Sequence, residues 1–217
     1  ATSGKKKPSA ESYAMLAEAH EQKGDKAAAI KALTKAKEYV KEAIENAFPV
    51  LAEYRSQGLI KAVGIGINQT EQAVQIMEST DLDIVLIAGR YSLLDQISHH
   101  KLFPYALARN IDISMGGVLN SGVLANPVAG ATYNYLPASD EIIARAAKIG
   151  DFLKARNIPL LAAALQFPLR HPAVTSVLTG PRTAAELLEN VDAFNLELPA
   201  DIWAELEGAN LIERIPA

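Results

Sequence analysis

The segment with the clearest chemical potential is residues 179–190, which follows the apolar run Val174–Leu178. An apolar run, a glycine-containing turn and an amphipathic stretch predict a buried strand, a loop and the start of a helix. The first N–H groups of a helix have no intrahelical partner, and Arg182 lies beside them, so the pattern predicts an anion site. Glu186 and Asn190, four residues apart, share one helix side. This arrangement suits a phosphate-bearing cofactor whose polar base lies along the helix.

Composition narrows the class of protein. The 217 residues are 49% hydrophobic and 21% charged, which is ordinary for a globular protein with a sizeable core. The net charge of −4 argues against a protein that binds nucleic-acid backbones. No apolar run approaches a membrane span or a signal region, and the absence of cysteine excludes disulfides and thiolate ligands. We therefore expect a cytoplasmic protein with no nucleic-acid or membrane partner.

The charge distribution indicates two pieces of different character. Residues 1–43 contain nine lysines and six acidic residues, a charge of +3, which leaves −7 for residues 44–217. Alanine, lysine and glutamate dominate the first piece, whereas valine, isoleucine, leucine, glycine and proline enter the second. We expect a flexible tail at 1–8, a helical hairpin at 9–42 and an α/β domain at 43–217.

The first piece has the pattern of two packed helices. Apolar residues recur at helical spacing over about 10–22 and again after Asp25, and Gly24 interrupts them. The pattern resembles a single tetratricopeptide repeat, although Lys41 stands where that repeat has its closing proline. One repeat cannot bury its own face, so we expect the hairpin to cap a neighbouring element. The residues at the repeat's packing positions are Tyr13, Leu16, Ala17, Gly24, Ala29, Leu33 and Ala36.

The second piece alternates short apolar strands with amphipathic helices. Such alternation predicts a parallel sheet covered on both faces. Polar residues and glycines cluster after each strand, at the carboxyl edge where parallel α/β folds build their sites. The predicted strands are 60–66, 83–88, 111–115 and 174–178. The predicted helices are about 44–57, 70–79, 97–109, 140–156, 160–169, 183–193 and 200–207.

Six motifs in this piece carry a resemblance to a known family. They are AFPVLAEYRSQGLIKAVGIGINQ (47–69), IAGRYSLLDQ (87–96), GGVLNSGVL (116–124), GATYNY (130–135), AALQFPLRHPAV (163–174) and TGPRTAAELLEN (179–190). Residues 44–212 resemble the C-terminal half of an aldo-keto reductase, in particular the L-fucose, D-threo-aldose and galactose dehydrogenases. The resemblance implies half of a (β/α)8 barrel, with four parallel strands and NAD or NADP bound across the carboxyl face.

The resemblance also implies which residues hold that cofactor. By motif position these are Asn68 at the nicotinamide carboxamide, Leu119, Asn120, Ser121 and Gly122 at the pyrophosphate, Gly180, Arg182 and Thr183 at the adenosine phosphate, and Glu186 and Asn190 near the adenine. Arg182 favours a 2′-phosphate, but it would also suit the pyrophosphate. Many members have glutamine where Glu186 stands, and glutamine and tyrosine where Ala88 and Gly117 stand. Tyr91 is expected either to contact substrate or to anchor its loop.

The family's catalytic Asp, Tyr, Lys and His motifs have no counterpart in the 217 residues. We therefore expect an oxidoreductase fragment, inactive alone, which pairs with a second copy or with a complementing N-terminal half-barrel. The alternative is a non-catalytic chimeric or assembly protein in which the hairpin supports a half-barrel.

Other chemistry-bearing residues are better explained by structure. His99 and His100 are adjacent and so point about 100° apart on a helix, and neither they nor His171 has the further ligands that a metal needs. No metal site is therefore expected. Asp83 and Asp95 could act as general bases or could cap loops.

Overall fold

The computed structural model describes residues 10–214, so the predicted tail at 1–8 lies outside the described part of the chain. Two helices come first, α1 (Ala10–Gln22) and α2 (Lys26–Glu42), and a π-helical turn (Ala43–Ala47) joins α2 to α3 (Phe48–Ser56). Pro49 is the second residue of α3, directly after the π-helical turn, and its missing N–H interrupts the hydrogen-bond ladder where the helix type changes.

The remaining elements alternate as the sequence predicted. They are β1 (Gly64–Ile67), α4 (Thr70–Ser79), β2 (Ile84–Ala88), α5 (Leu102–Ala108), β3 (Asp112–Gly116), β4 (Thr132–Tyr133), β5 (Leu136–Pro137), α6 (Asp140–Lys154), α7 (Leu160–Gln166), β6 (Val174–Leu178), α8 (Ala184–Asn195) and α9 (Ile202–Gly208). Short 3-10 turns precede α5, follow β3 and follow α7. Across residues 10–214, none of the helices combines the length and apolar character needed to cross a membrane.

Four strands form one parallel sheet in the order β1-β2-β3-β6. Every neighbouring pair is parallel, which confirms the prediction from the apolar strand pattern. Strands β1 and β6 are the sheet edges. A second, two-stranded unit pairs β4 with β5 antiparallel inside the long loop after β3. That small hairpin was not predicted.

The core lies between the central strands and the helices that cover them. Val85 and Ile87 of β2 and Ile113 and Met115 of β3 are fully buried and point to the same face of the sheet, because side chains alternate between the two faces along a strand. On the other face Ile84 is 37% exposed, so the predicted cover of both faces is incomplete in the described residues. Beyond the strand ends, aromatic rings continue the core: Tyr91 packs edge-on against Phe103 with ring centroids 4.7 Å apart.

Helices α1 and α2 pack against each other through small residues. Ala14 and Ala17 of α1 and Ala36 of α2 are at most 1% exposed, because alanine allows two helices to approach closely. The prediction that Leu16 and Leu33 lie in this interface is wrong, since they are 45% and 37% exposed. Close contact between alanines leaves the longer leucine side chains outside.

A carboxylate ties α3 to the amino edge of the sheet. Asp83, directly before β2, accepts hydrogen bonds from the backbone N–H of Val63 (2.6 Å) and from Nη1 of Arg55 (2.8 Å). The Val63 hydrogen bond is the main cause that lowers the pKa of Asp83, and Arg55 lowers it further. Asp83 is therefore an anchor of the fold, which fits the capping role predicted for it.

Candidate functional site

The loops that follow the strands line one cleft at the carboxyl edge of the sheet. Its volume is about 650 Å³. Nine of the ten residues assigned to the cofactor from the sequence line it: Asn68, Leu119, Asn120, Ser121, Gly122, Gly180, Arg182, Glu186 and Asn190. Thr183, the tenth, instead caps α8, where its Oγ1 accepts a hydrogen bond from the N–H of Glu186 at 3.1 Å.

The inner end of the cleft is built around Asn120. This residue is 2% exposed and has a positive φ of 46°, a conformation that asparagine tolerates better than most residues. Its Nδ2 donates to the carbonyl of Gly89 at 3.2 Å. Its Oδ1 is buried without a hydrogen-bond partner in the part of the chain that the structure describes. A buried acceptor of this kind is costly unless a ligand or water engages it.

Two glycines allow the loops after β2 and β3 to meet beneath this end. Gly117 has a φ of 60°, and a Cβ added there would lie 3.1 Å from the backbone nitrogen of Gly89. The Gly89 N–H also donates to the carbonyl of Gly116 at 2.9 Å. Both the positive φ and the close backbone of Gly89 therefore favour glycine at position 117.

The β4–β5 hairpin is fastened to the cleft loop by Ser121. The Ser121 carbonyl accepts from Oγ1 of Thr132 at 2.7 Å, and its Oγ accepts from the N–H of Tyr135 at 3.0 Å. Asn134 and Tyr135 both have positive φ, as a type I′ turn requires. Tyr135, which is 65% exposed, lines the cleft at its solvent side.

Arg90 connects the loop after β1, the loop after β2 and the β4–β5 turn, a role that the sequence analysis did not predict. Its Nε donates to the carbonyl of Asn68 at 2.9 Å, and its Nη1 lies 3.3 Å from both Asp95 Oδ2 and Asn134 Oδ1. Asp95 also accepts from the N–H of Ile97 at 3.0 Å. These contacts give Asp95 the loop-capping role that was weighed against a role as a general base.

The outer end of the cleft carries an ion pair. The Arg182 N–H donates to Oε2 of Glu186 at 2.7 Å, and Nη2 of Arg182 donates to Oε1 at 2.7 Å. These hydrogen bonds lower the pKa of the Glu186 carboxyl and raise the pKa of Arg182. Of the N–H groups around the start of α8, that of Arg182 is thus taken by Glu186 and that of Glu186 by Thr183.

The expectation that Tyr91 contacts substrate is wrong. Its side chain is 0% exposed and lies among Phe103, Phe167 and His171, away from the residues that line the cleft. Burial raises the pKa of its hydroxyl, which has no hydrogen-bond partner among the described residues. The chain turns at Gly89 and directs the aromatic ring into the core, so Tyr91 anchors its loop, the second of the two predicted roles.

The histidines near this core form an aromatic group. His99 and His171 have ring centroids 6.1 Å apart, and burial lowers the pKa of both. His171 Nδ1 accepts from the N–H of Ala173 at 3.2 Å. Within residues 10–214, no cluster of three or more His, Asp or Glu side chains has the arrangement of a metal site.

The chain has counterparts among known proteins. The model of the Aldo/keto reductase family matches residues 12–211. The chain is 42% identical over 166 residues to a pyridoxal 4-dehydrogenase from Microbacterium luteolum. The matched region covers 76% of this chain and 48% of that protein. It is 37% identical over 172 residues to a D-threo-aldose 1-dehydrogenase from a Pseudomonas species, covering 78% and 52%. The chain therefore spans about half the length of these curated relatives.

Solved structures share the fold at lower identity. An aldo-keto reductase from Bacillus halodurans in its holo form has a TM-score of 0.61 and 19% identity, covering 82% of this chain and 68% of that one. A glycerol dehydrogenase from Gluconobacter oxydans has a TM-score of 0.56 and 17% identity, covering 80% and 57%. The family match begins at residue 12 and so includes the helical hairpin, which the motif resemblance had left outside the family.

Proposed function

Because the chain belongs to the aldo/keto reductase family, we propose that its cleft binds NAD or NADP as part of an oxidoreductase that acts on an aldose or aldehyde. The observation that carries the proposal is that nine assigned residues, far apart in the sequence, line one cleft. They come from the loops after β1, β3 and β6 and from α8. Sheet topology brings these loops to one edge, as ligand sites in parallel α/β folds require.

The cleft fits such a cofactor in size and polarity. Its volume of about 650 Å³ lies inside the range of about 300–1,000 Å³ that is typical of small-molecule sites. The side-chain amide of Asn120 places polar atoms at the inner end of the cleft. Gly122 and Gly180 have no side chain between the backbone and the cleft, and an added Cβ would meet nothing within 4 Å at either position. A ligand can therefore approach the backbone closely at both positions.

The chain's own residues would hold the cofactor in an extended position along the cleft. Asn68 lies at the nicotinamide end, and the loop of Asn120 and Ser121 lies in the middle, where the pyrophosphate would bind. Arg182 and Glu186 lie at the adenosine end, on a helix that Thr183 caps. A bound nicotinamide would supply the carbon that gives or accepts a hydride. The assigned contacts are Asn68, Leu119, Asn120, Ser121, Gly122, Gly180, Arg182, Thr183, Glu186 and Asn190.

The substrate class follows from the relatives, whose names specify pyridoxal and D-threo-aldose. Both are aldehydes, so hydride transfer to or from the carbonyl carbon also needs a group that gives a proton to the carbonyl oxygen in reduction or takes one from the hydroxyl in oxidation. None of the 217 residues lies in a match to the family's Asp, Tyr, Lys and His motifs. We therefore expect these 217 residues to bind the cofactor without turnover unless residues outside them supply those groups.

We propose further that the α/β domain is a half-barrel whose open side is completed by a second copy or by a complementing N-terminal half. Strands β1 and β6 end the sheet, and each pairs with one neighbour within the described residues. Leu187, Leu188 and Val191 of α8 are 44–64% exposed, which is a continuous apolar side on a helix next to the β6 edge. The tetratricopeptide-like hairpin, residues 9–42, would cap the other side, where Val40 of α2 joins the main core.

The test is a fluorescence titration of the purified chain with NADH and, separately, NADPH. We expect saturable binding that Arg182→Ala weakens about tenfold or more, because the variant leaves the Glu186 carboxylate unpaired beside an anionic ligand. Arg156→Ala is the matched control: Arg156 forms a comparable ion pair with Glu205, away from the cleft.

The outcomes separate the hypotheses. Binding that is lost in Arg182→Ala and kept in Arg156→Ala supports the cofactor site. No binding of either dinucleotide at millimolar concentration would overturn it and favour the alternative of a non-catalytic assembly protein. Binding that Arg182→Ala leaves unchanged would place the cofactor elsewhere on the protein.

A further inference from the structure

The charges at the outer end of the cleft bear on which dinucleotide it accepts. Three charged side chains line the cleft in the described part of the chain, namely Arg182, Glu186 and Glu189. One cation and two carboxylates give a net charge of −1. A phosphate monoester carries about −1.5 to −2 charges at neutral pH, so a second phosphate near α8 would add to an existing negative charge.

The guanidinium that would offset this charge is already engaged. Arg182 donates to Glu186 from its backbone N–H (2.7 Å), from Nε (3.1 Å) and from Nη2 (2.7 Å). The N–H of Glu186, at the same helix end, donates to Oγ1 of Thr183. A phosphate that binds the Nε and Nη2 edge of Arg182 must therefore displace the Glu186 carboxylate, and a phosphate elsewhere on this guanidinium still lies close to that carboxylate.

Resting on the proposed function, we infer that the Arg182–Glu186 pair selects a dinucleotide with a free 2′-hydroxyl, NAD, over its 2′-phosphorylated form, NADP. A ribose hydroxyl can donate a hydrogen bond to a carboxylate, so NAD leaves the ion pair intact. A 2′-phosphate can only accept from cations and N–H groups, and the carboxylate of Glu186, which is bonded to Arg182, repels it far more than the carboxylate of Glu189, which makes no contact there. The sequence alone favoured the opposite choice, because Arg182 was considered without its partner.

The discrimination comes mainly from repulsion between the Glu186 carboxylate and the 2′-phosphate, and less from the energy needed to break the ion pair. The Arg182 side chain is 86% exposed, and exposed ion pairs are held weakly. Breaking the pair thus contributes little to the discrimination, and the carboxylate left beside the phosphate contributes most of it. This repulsion is screened by salt, with a Debye length of about 10 Å at 0.1 M ionic strength.

The experiment compares dissociation constants for NADH and NADPH in three forms of the full 217-residue chain. In the unmodified chain we expect NADH to bind about tenfold more tightly than NADPH at low ionic strength. Glu186→Gln keeps the side-chain size and removes the charge. NADPH should then bind more tightly, and the ratio of the NADPH to the NADH dissociation constant should fall from about tenfold to about threefold or less. Glu189→Gln is the control. It removes a negative charge that also lines the cleft but does not contact Arg182, and it should change the ratio much less.

Each outcome decides one of the two proposals. A ratio that falls in Glu186→Gln, stays in Glu189→Gln and shrinks at 0.5 M salt supports the selection by Glu186. Equal affinities in the unmodified chain, tighter NADPH binding, or a ratio unchanged in Glu186→Gln would overturn the selection while leaving the cofactor site in place. Failure of both dinucleotides to bind would overturn the proposed function, and the selection with it.

Discussion

At the amino edge of the sheet, the carboxylate of Asp83 is engaged by the protein itself, through the N–H of Val63 and the guanidinium of Arg55. At the carboxyl edge, Asn120 is just as firmly placed, yet its Oδ1 has no partner among the described residues. Both residues lie beside central strands, since Asp83 directly precedes β2 and Asn120 follows the end of β3. The difference is that the Asp83 carboxylate is paired within the protein, whereas the Asn120 acceptor is held in position without a partner in the described residues.

This difference has an energetic meaning. A buried polar atom without a partner costs stability, whereas a paired carboxylate such as that of Asp83 contributes to it. Substitutions at the amino edge should therefore reduce stability and leave ligand binding alone. Substitutions among the exposed groups of the carboxyl edge should reduce binding and leave stability alone. The predictions below test that division.

The largest effect is expected at Tyr91, which follows β2 at the carboxyl edge but belongs to the core. Tyr91→Ala should lower the free energy of unfolding by about 3–5 kcal/mol, because it removes a fully buried ring. Tyr91→Phe should change it by less than about 1 kcal/mol, since the hydroxyl has no partner to lose. Urea unfolding measures both. If Tyr91→Phe kept full stability but lost cofactor binding, the hydroxyl would be a site residue after all.

The next effect concerns two glycines in the same strand. An added Cβ at Gly64 would lie 2.7 Å from the carbonyl oxygen of Ile84, whereas at Gly66 it would meet nothing within 4 Å. Gly64→Ala should therefore destabilise the protein by about 1–3 kcal/mol, as overpacking does. Gly66→Ala is the matched control and should be neutral or stabilising by up to about 1 kcal/mol. Equal unfolding midpoints for the two variants would contradict the close approach of β1 and β2.

A smaller effect follows from the lowered pKa of Asp83. Because its folded pKa lies below the unfolded value, the contribution of Asp83 is present above the unfolded pKa and is lost as the pH falls through the folded one. Asp83→Asn should cost about 1 kcal/mol at pH 7, discounted because the side chain is 41% exposed. The deficit should shrink as the pH approaches 3. A deficit that is constant from pH 7 to pH 3 would show that Asp83 contributes no charge-dependent stability.

The smallest effect on stability is expected from Arg182→Ala. The ion pair with Glu186 is exposed, and such pairs contribute little to folding. Thermal unfolding should give the same midpoint as the unmodified chain, while cofactor affinity falls. A clear drop in the midpoint would mean that the outer end of the cleft supports the fold, and the contrast between the two edges would fail.

The parallel sheet could be predicted from the sequence because its strands are short apolar runs. The prediction for β6 agrees with the structure from Val174 to Leu178, and those for β2 and β3 differ by one residue at their ends. The positions of most cleft loops followed from this topology. The β4–β5 hairpin was missed because strands of two residues have no measurable alternation, and Tyr135 is an unusual residue at positive φ.

The site details that were missed depend on tertiary contacts. Tyr91 was misassigned because a position after a strand does not reveal which way a side chain points. Arg90 was overlooked because its partners Asn68 and Asn134 are 22 and 44 residues away in the chain. Arg182 was predicted as an anion-binding group, but whether its partner is a ligand or Glu186 depends on a local geometry that the sequence does not determine.

The contacts of Arg90 have a consequence for how this site can diverge. One guanidinium holds the loop after β1, the loop after β2 and the β4–β5 turn at once. A substitution that moves any of the three withdraws a partner from the other two. Variants with altered specificity should therefore arise by concerted replacement around Arg90, or at the far end of the cleft, where the Arg182–Glu186 pair can change without disturbing those loops.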